Sequence, residues 1–111
     1  MSCRWRWGVA DCCASACDVF EAWHGIDPMR PLRGRYSGPV QAAQIITEAG
    51  GMATLAASLA AQAGLRPGIG GAGEIGVRDG CLVVAPAPGE WWGKTISGFS
   101  INRDVEVSWR A

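Results

Sequence analysis

The hydrophobic pattern of this chain changes period once, and that change limits the fold more than any other feature. Up to residue 64 the apolar residues recur at helical spacing, whereas from Glu74 onward short β-type runs alternate with turn residues. Residues 65–73 between them are a connection rich in Gly and Pro. Helices first and strands second give an α+β arrangement, with N-terminal helices packed on a small C-terminal antiparallel sheet. The 111 residues are enough for one domain and one modest core. The expected division is a helical part over about 9–64 and a sheet part over about 74–110. There is no internal repeat.

Three helices are expected. The first follows Asp11, whose carboxylate suits an N-cap, and ends at Gly25 as the residue past the last turn. Its apolar stripe is Cys13, Cys17 and Phe20, widened by Cys12, Ala16, Val19 and Trp23. Asp27-Pro28 then starts one short turn reaching Leu32. Pro39 opens the second helix, with Val40, Ala43, Ile46 and Ala49 as its expected buried face and Gly50-Gly51 as its end. The third runs from Met52 to Ala63 with Leu55, Ala56, Leu59, Ala60 and Ala63 in register, and Gly64 stops it.

The expected strands are Glu74–Arg78, Cys81–Ala85, Trp91–Ile96 and Val105–Trp109, with Phe99 and Ile101 in a further short one. Asp79-Gly80 between the first two is a strong hairpin signal. Residues 1–8 are aromatic and read as a strand or an extended lead-in.

Composition narrows the function. Ten basic residues balance ten acidic ones, so no global charge draws the chain to nucleic acid or to a membrane surface. No apolar run reaches transmembrane length, and the first residues carry Arg4, Arg6, Trp5 and Trp7 instead of the apolar core of a signal peptide. Five cysteines, an odd number, argue against a secreted disulfide framework and for a reduced, cytoplasmic chain.

Three constellations could carry chemistry. Gly68 to Gly73 matches the glycine spacing of a dinucleotide fingerprint, but that motif needs a strand before it and a helix after it. Here a helix ends before it and a strand follows, so it reads as a loop and no cofactor is expected. Cys12, Cys13 and Cys17 lie close together, yet no zinc-type spacing is present and no metal is expected; Cys3 and Cys81 would join only if the fold brought them in. Cys12 is the third. In the first turn of a helix, unpaired amides lower a thiol's pKa, which suits a nucleophile; the same residue type also packs well in a core. A cysteine hydrolase needs a base within hydrogen-bond reach. His24, the sole histidine, lies about 18 Å away along one helix and is expected to be a helix C-terminal cation or a surface residue instead. Glu74 and Asp79 could orient a base, but there is none to orient.

Trp7-Gly8-x-x-Asp11-Cys12, the amphipathic helix, Gly25-x-Asp27-Pro28 and Leu32-Arg33-Gly34-Arg35-Tyr36 together resemble a family of small proteins encoded in phage and prophage tail-gene regions. Gly50-Gly51, Gly73-Glu74-Ile75-Gly76-Val77 and Ser108-Trp109-Arg110 extend the resemblance over nearly the whole chain. That family is similar in turn to the NlpC-type papain-fold cysteine peptidases, which cleave peptide links in bacterial cell walls. The resemblance implies a papain-like (NlpC-like) domain over residues 1–111, with Asp11 and Cys12 as candidate catalytic residues. The catalytic histidine of such enzymes would fall near Gly80-Cys81-Leu82-Val83, where this sequence has none.

Two functions follow as expectations. In the first, the chain is a phage tail component or tail-assembly protein, degenerate as a peptidase, with tail tip or hub proteins as partners. It would be found in the bacterial host cytoplasm during assembly or in the virion tail. Trp91, Trp92, Arg33 and Arg35 are then the candidate contact residues, since Trp and Arg concentrate interface energy. Neighbours on a strand face opposite ways, so at most one of Trp91 and Trp92 should lie buried beneath a covering layer. In the second, Cys12 is the nucleophile of a hydrolase acting on peptidoglycan peptides.

Overall fold

A computed structural model describes residues 11–95 and 98–111. The expected lead-in at residues 1–8 lies outside them, as do Cys3 and Ile96. The fold is α+β, and the described residues form three helices and a six-stranded antiparallel sheet. The helices are α1 (Cys12–His24), α2 (Pro39–Ala49) and α3 (Met52–Gln62), with a 3₁₀ turn at Arg30–Leu32. The strands are β1 (Arg66–Pro67), β2 (Ile75–Arg78), β3 (Cys81–Ala87), β4 (Glu90–Thr95), β5 (Gly98–Asn102) and β6 (Val107–Arg110), in the order β1-β6-β2-β3-β4-β5.

The sheet therefore begins at Arg66, earlier than expected, because two residues including a proline give no periodic signal. β6 pairs with both β1 and β2, so the last strand fills an inner position. β2 and β3 form the expected hairpin: Arg78 pairs with Cys81, and Asp79 and Gly80 take φ of 50° and 74°. Positive φ at both central residues is the two-residue turn that matches strand twist, and Asp-Gly adopts it readily.

Ile75, Val77, Leu82 and Val84 form the sheet's contribution to the main core, under Ala16, Cys17 and Phe20 of α1 and Ala56 and Leu59 of α3. On the opposite face Val83, Ala85 and Trp91 make a second cluster, against which Val105 packs from the connection between β5 and β6. α1 and α3 face inward much as their spacing implies, although Trp23 is half exposed. α2 is turned from its expected face. Val40 is 69% exposed and Ala43 is exposed, while Ala42, Ile45 and Ile46 pack against the core. No residue of α2 is fully buried, and its rotation follows the core residues that Ala42, Ile45 and Ile46 pack against.

Candidate functional site

Asp11 sets the position of the site. Its backbone is extended (φ −97°, ψ −176°), and Oδ1 accepts from the Ala14 amide at 2.8 Å, the N-cap geometry its side chain favours. Oδ2 accepts from the Tyr36 hydroxyl at 2.5 Å, and Asp11 is 2% exposed. The carboxylate thus ties the start of α1 to the segment leading into α2. Burial and the Asp11 carboxylate raise the Tyr36 hydroxyl far above the usual tyrosine pKa, which keeps it a donor.

Cys12, the first helical residue, faces Cys81, the first residue of β3, which the Asp79-Gly80 turn delivers to the helix start. The Cys12 and Cys13 sulfurs are 3.9 Å apart. These thiols form one wall of a cavity of about 250 Å³ whose other walls include Met29, Leu32, Tyr36, Ile45, Ile46, Met52 and Leu55. The lining is almost wholly apolar, of the kind that accepts aliphatic or aromatic groups.

The helix start does not activate Cys12. The expected lowering is replaced by a rise to about 12. The contact with the Cys13 sulfur is the largest cause; the Cys81 thiol donates in the opposite sense, burial raises the value again, and the Leu82 amide offsets part of it. Cys81 is raised as well, through its bond to Cys12 and then by burial. Thiols surrounding a thiol in an apolar wall favour the neutral form, and a thiol is a far weaker nucleophile than a thiolate.

His24 lies at the other end of α1. Its Nε2 donates to the Gly73 carbonyl at 2.7 Å, and its ring packs on Phe20 with centroids 4.4 Å apart. It pins the C-terminus of α1 to the loop that leads into β2. Cys17 is buried in the core and pushed to about 12 by that burial. Among the described residues, no three His, Cys, Asp or Glu are placed to hold a metal ion.

The glycine loop has an occupant of its own. Glu74, 2% exposed, accepts from the amides of Ile69 (2.9 Å), Gly70 (3.0 Å) and Gly71 (2.7 Å) and from Ser108 Oγ (2.8 Å). Consecutive amides converging on a carboxylate make an anion nest, filled here by the chain's own side chain. A Cβ at Gly68 would collide with the Glu74 carboxylate and Ser108 Oγ, so any side chain there displaces the carboxylate from its amides. Glu74 therefore cannot orient a base, and Asp79 sits exposed in its turn beside Arg78.

Of the four contact candidates, Trp91 is 2% exposed within the second cluster, so its side chain is packing rather than contact surface. Trp92 is half-buried and donates from Nε1 to Glu90 at 2.6 Å. The two neighbours do face opposite sides of the sheet. Arg33 bridges Asp18 (2.7 Å) and Asp27 (3.1 Å) and so staples α1 to the following loop. Arg35 is exposed. The sequence reading missed Tyr36 as Asp11's partner; the one signal for it was the single tyrosine following an Arg-Gly-Arg turn.

Residues 1–104 match the family model of a domain of unknown function, DUF6950. No curated protein and no solved structure matches the chain.

Proposed function

The chain belongs to the DUF6950 family, and we propose that it is a phage tail component or tail-assembly protein built on a degenerate, NlpC-like papain fold. The observation that carries this reading is the pairing of Cys12 with Cys81 at the start of β3, the place where the resembled peptidases keep their histidine. Helix and strand supply the framework of a cysteine-hydrolase site, and a second thiol stands where the base would be. A thiol raised to about 12 beside another raised thiol does not ionise near neutral pH, and its thiol neighbours among the described residues do not take its proton. No helix among the described residues is long and apolar enough to cross a membrane, and the proposed partners are tail tip or hub proteins.

The alternative is an active hydrolase of peptidoglycan peptides. In its favour, Cys12 sits at a helix N-terminus and lines a cavity. Two experiments divide the readings. Purified chain and its Cys12→Ala variant are incubated with cell-wall muropeptides, and release of cleaved peptides is followed chromatographically. Cys12-dependent cleavage overturns the degenerate reading; equal, background levels support it. In a prophage carrying the gene, deletion should abolish intact tails in electron micrographs, and Cys12→Ala should restore them. Normal tails after deletion would remove the tail role.

A further inference from the structure

Among the described residues, three thiols meet where α1 begins. The Cys12 and Cys13 sulfurs are 3.9 Å apart, and the Cys12 and Cys81 thiols are hydrogen-bonded across the gap between helix and hairpin. All three are partly exposed, whereas Cys17 is buried in the core. A degenerate peptidase site gives these thiols no task.

One pairing within the cluster suits a covalent bridge. Disulfides join residues whose Cα atoms lie about 4.4–6.8 Å apart, while a trans peptide holds sequence neighbours about 3.8 Å apart. Cys12 and Cys13 are consecutive in α1, so they do not meet that requirement. Cys12 and Cys81 come from separate elements, and Cys12 is the thiol that Cys81 bonds. Both stand on anchored backbone. Asp11, just before Cys12, is held by Tyr36, and Cys81 pairs with Arg78 at the closed end of the β2–β3 hairpin. The two sulfurs are about 70 residues apart in sequence, and the fold has already closed that loop before any bond forms.

We propose that Cys12 and Cys81 are a reversible redox pair, whose disulfide locks the start of α1 to the β2–β3 hairpin and stiffens the thiol wall of the cavity. The oxidant is a low-molecular-weight disulfide. One thiol of the pair loses its proton to solvent and attacks a sulfur of the oxidant, expelling a small thiolate. The other thiol, deprotonated in turn, attacks the protein sulfur of that mixed disulfide and expels a second small thiolate. Both expelled thiolates take up protons, so the pair loses two electrons and the oxidant gains them. The raised pKa values make the exchange slow at neutral pH and faster as pH rises. In a reducing cytoplasm the pair rests as thiols, and it closes in an oxidising setting. The inference rests on the contact between two thiols and does not depend on the tail reading.

The test equilibrates the full chain at about pH 8.5, where free thiols are half ionised, over a series of oxidised-to-reduced glutathione ratios. It is run with and without denaturing urea, quenched with acid, and the bridges are mapped by fragmentation mass spectrometry. An intramolecular Cys12–Cys81 bridge is expected, half-formed in the folded chain at a ratio at least about tenfold more reducing than in urea. The oxidised chain should melt at a higher temperature than the reduced one. Cys13→Ser should form the same bridge, and Cys12→Ser should lose the rise in melting temperature; the wild-type measurement stands even where a variant fails to fold. Free Cys12 and Cys81 at the most oxidising ratio overturn the proposal. So does a main bridge through Cys3, Cys13 or Cys17, or a Cys12–Cys81 bridge that forms no more readily in the folded chain than in urea.

Discussion

The Tyr36 hydroxyl and the Ala14 amide in the first turn of α1 share one acceptor, the carboxylate of Asp11. One side chain therefore caps a helix and anchors a segment that lies 25 residues along the chain. Removing either partner breaks a buried hydrogen bond to that carboxylate.

Tyr36→Phe is accordingly expected to destabilise the fold by about 1.5–3 kcal/mol, the range for hydrogen bonds to charged groups. Asp11→Ala should cost more, because the cap alone contributes about 1 kcal/mol and the bond to Tyr36 is lost as well. Asp11→Asn, which can still cap, should fall between. Urea unfolding of the three variants gives the ranking; a Tyr36→Phe variant as stable as wild type would show that the bond contributes nothing net.

Cys12 should alkylate slowly at neutral pH, with a rate that keeps climbing beyond pH 9 rather than levelling below it, because its pKa is raised to about 12. Iodoacetamide labelling with peptide mass spectrometry resolves the site. The same shift acts on stability. A thiol whose folded pKa exceeds its unfolded value of about 8.5 contributes stability that is fully present below that value and is lost as pH rises. Cys12 and Cys17 both act over the window up to about 12. Melting temperature should thus decline on the alkaline side, and Cys12→Ala should reduce the decline.

Glu74 acts on the acid side. Burial pushes its carboxyl up, but the Ile69 amide, Ser108 and the Gly71 and Gly70 amides outweigh that and hold it low. A carboxylate with a lowered folded pKa contributes stability above its unfolded value of about 4.3, and that contribution disappears as pH falls through the folded value. Glu74→Gln turns an acceptor into a donor facing amides and should cost on the order of 3 kcal/mol. It should also remove part of the acid dependence in melts between neutral and low pH. Gly68→Ala should reproduce the loss of stability, since its Cβ displaces the carboxylate.

Arg33 holds Asp18 and Asp27 together at a partly exposed place. Arg33→Ala is expected to cost on the order of 1 kcal/mol, and Arg33→Lys to recover only part of it, because an ammonium cannot reproduce the planar fork. Thermal melts at low and high salt test this: the difference between wild type and Arg33→Ala should shrink as salt rises.

What the chain reveals without a structure depends on whether the signal is local. The cap at Asp11, the turn at Asp79-Gly80 and the inward face of α3 follow from residues within a turn or two of each other. The face of α2 does not, because Ile46 and Ala49 suit either rotation and only its neighbours exclude Val40 and Ala43. β1 has no pattern at all. At the site, Cys12 was legible from its place after an N-cap, and the lack of a nearby histidine from the length of α1. The thiol–thiol wall was not, since Cys12 and Cys81 meet only through the tertiary fold. The rise in the Cys12 pKa follows from that meeting, which is why the helix-start argument pointed the other way.

The place of β6 bears on how the protein is made. β6 is the last of the six strands to be synthesised, yet it lies between β1 and β2. A ribosome delivers the chain from its N-terminal end, so β2, β3 and β4 leave the exit tunnel before β6 does. The slot beside β2 stays vacant until Val107–Arg110 has left the exit tunnel, and the nascent chain carries an open seam through the sheet until then. A stop codon just before Val107 would remove an interior plank rather than trim an end.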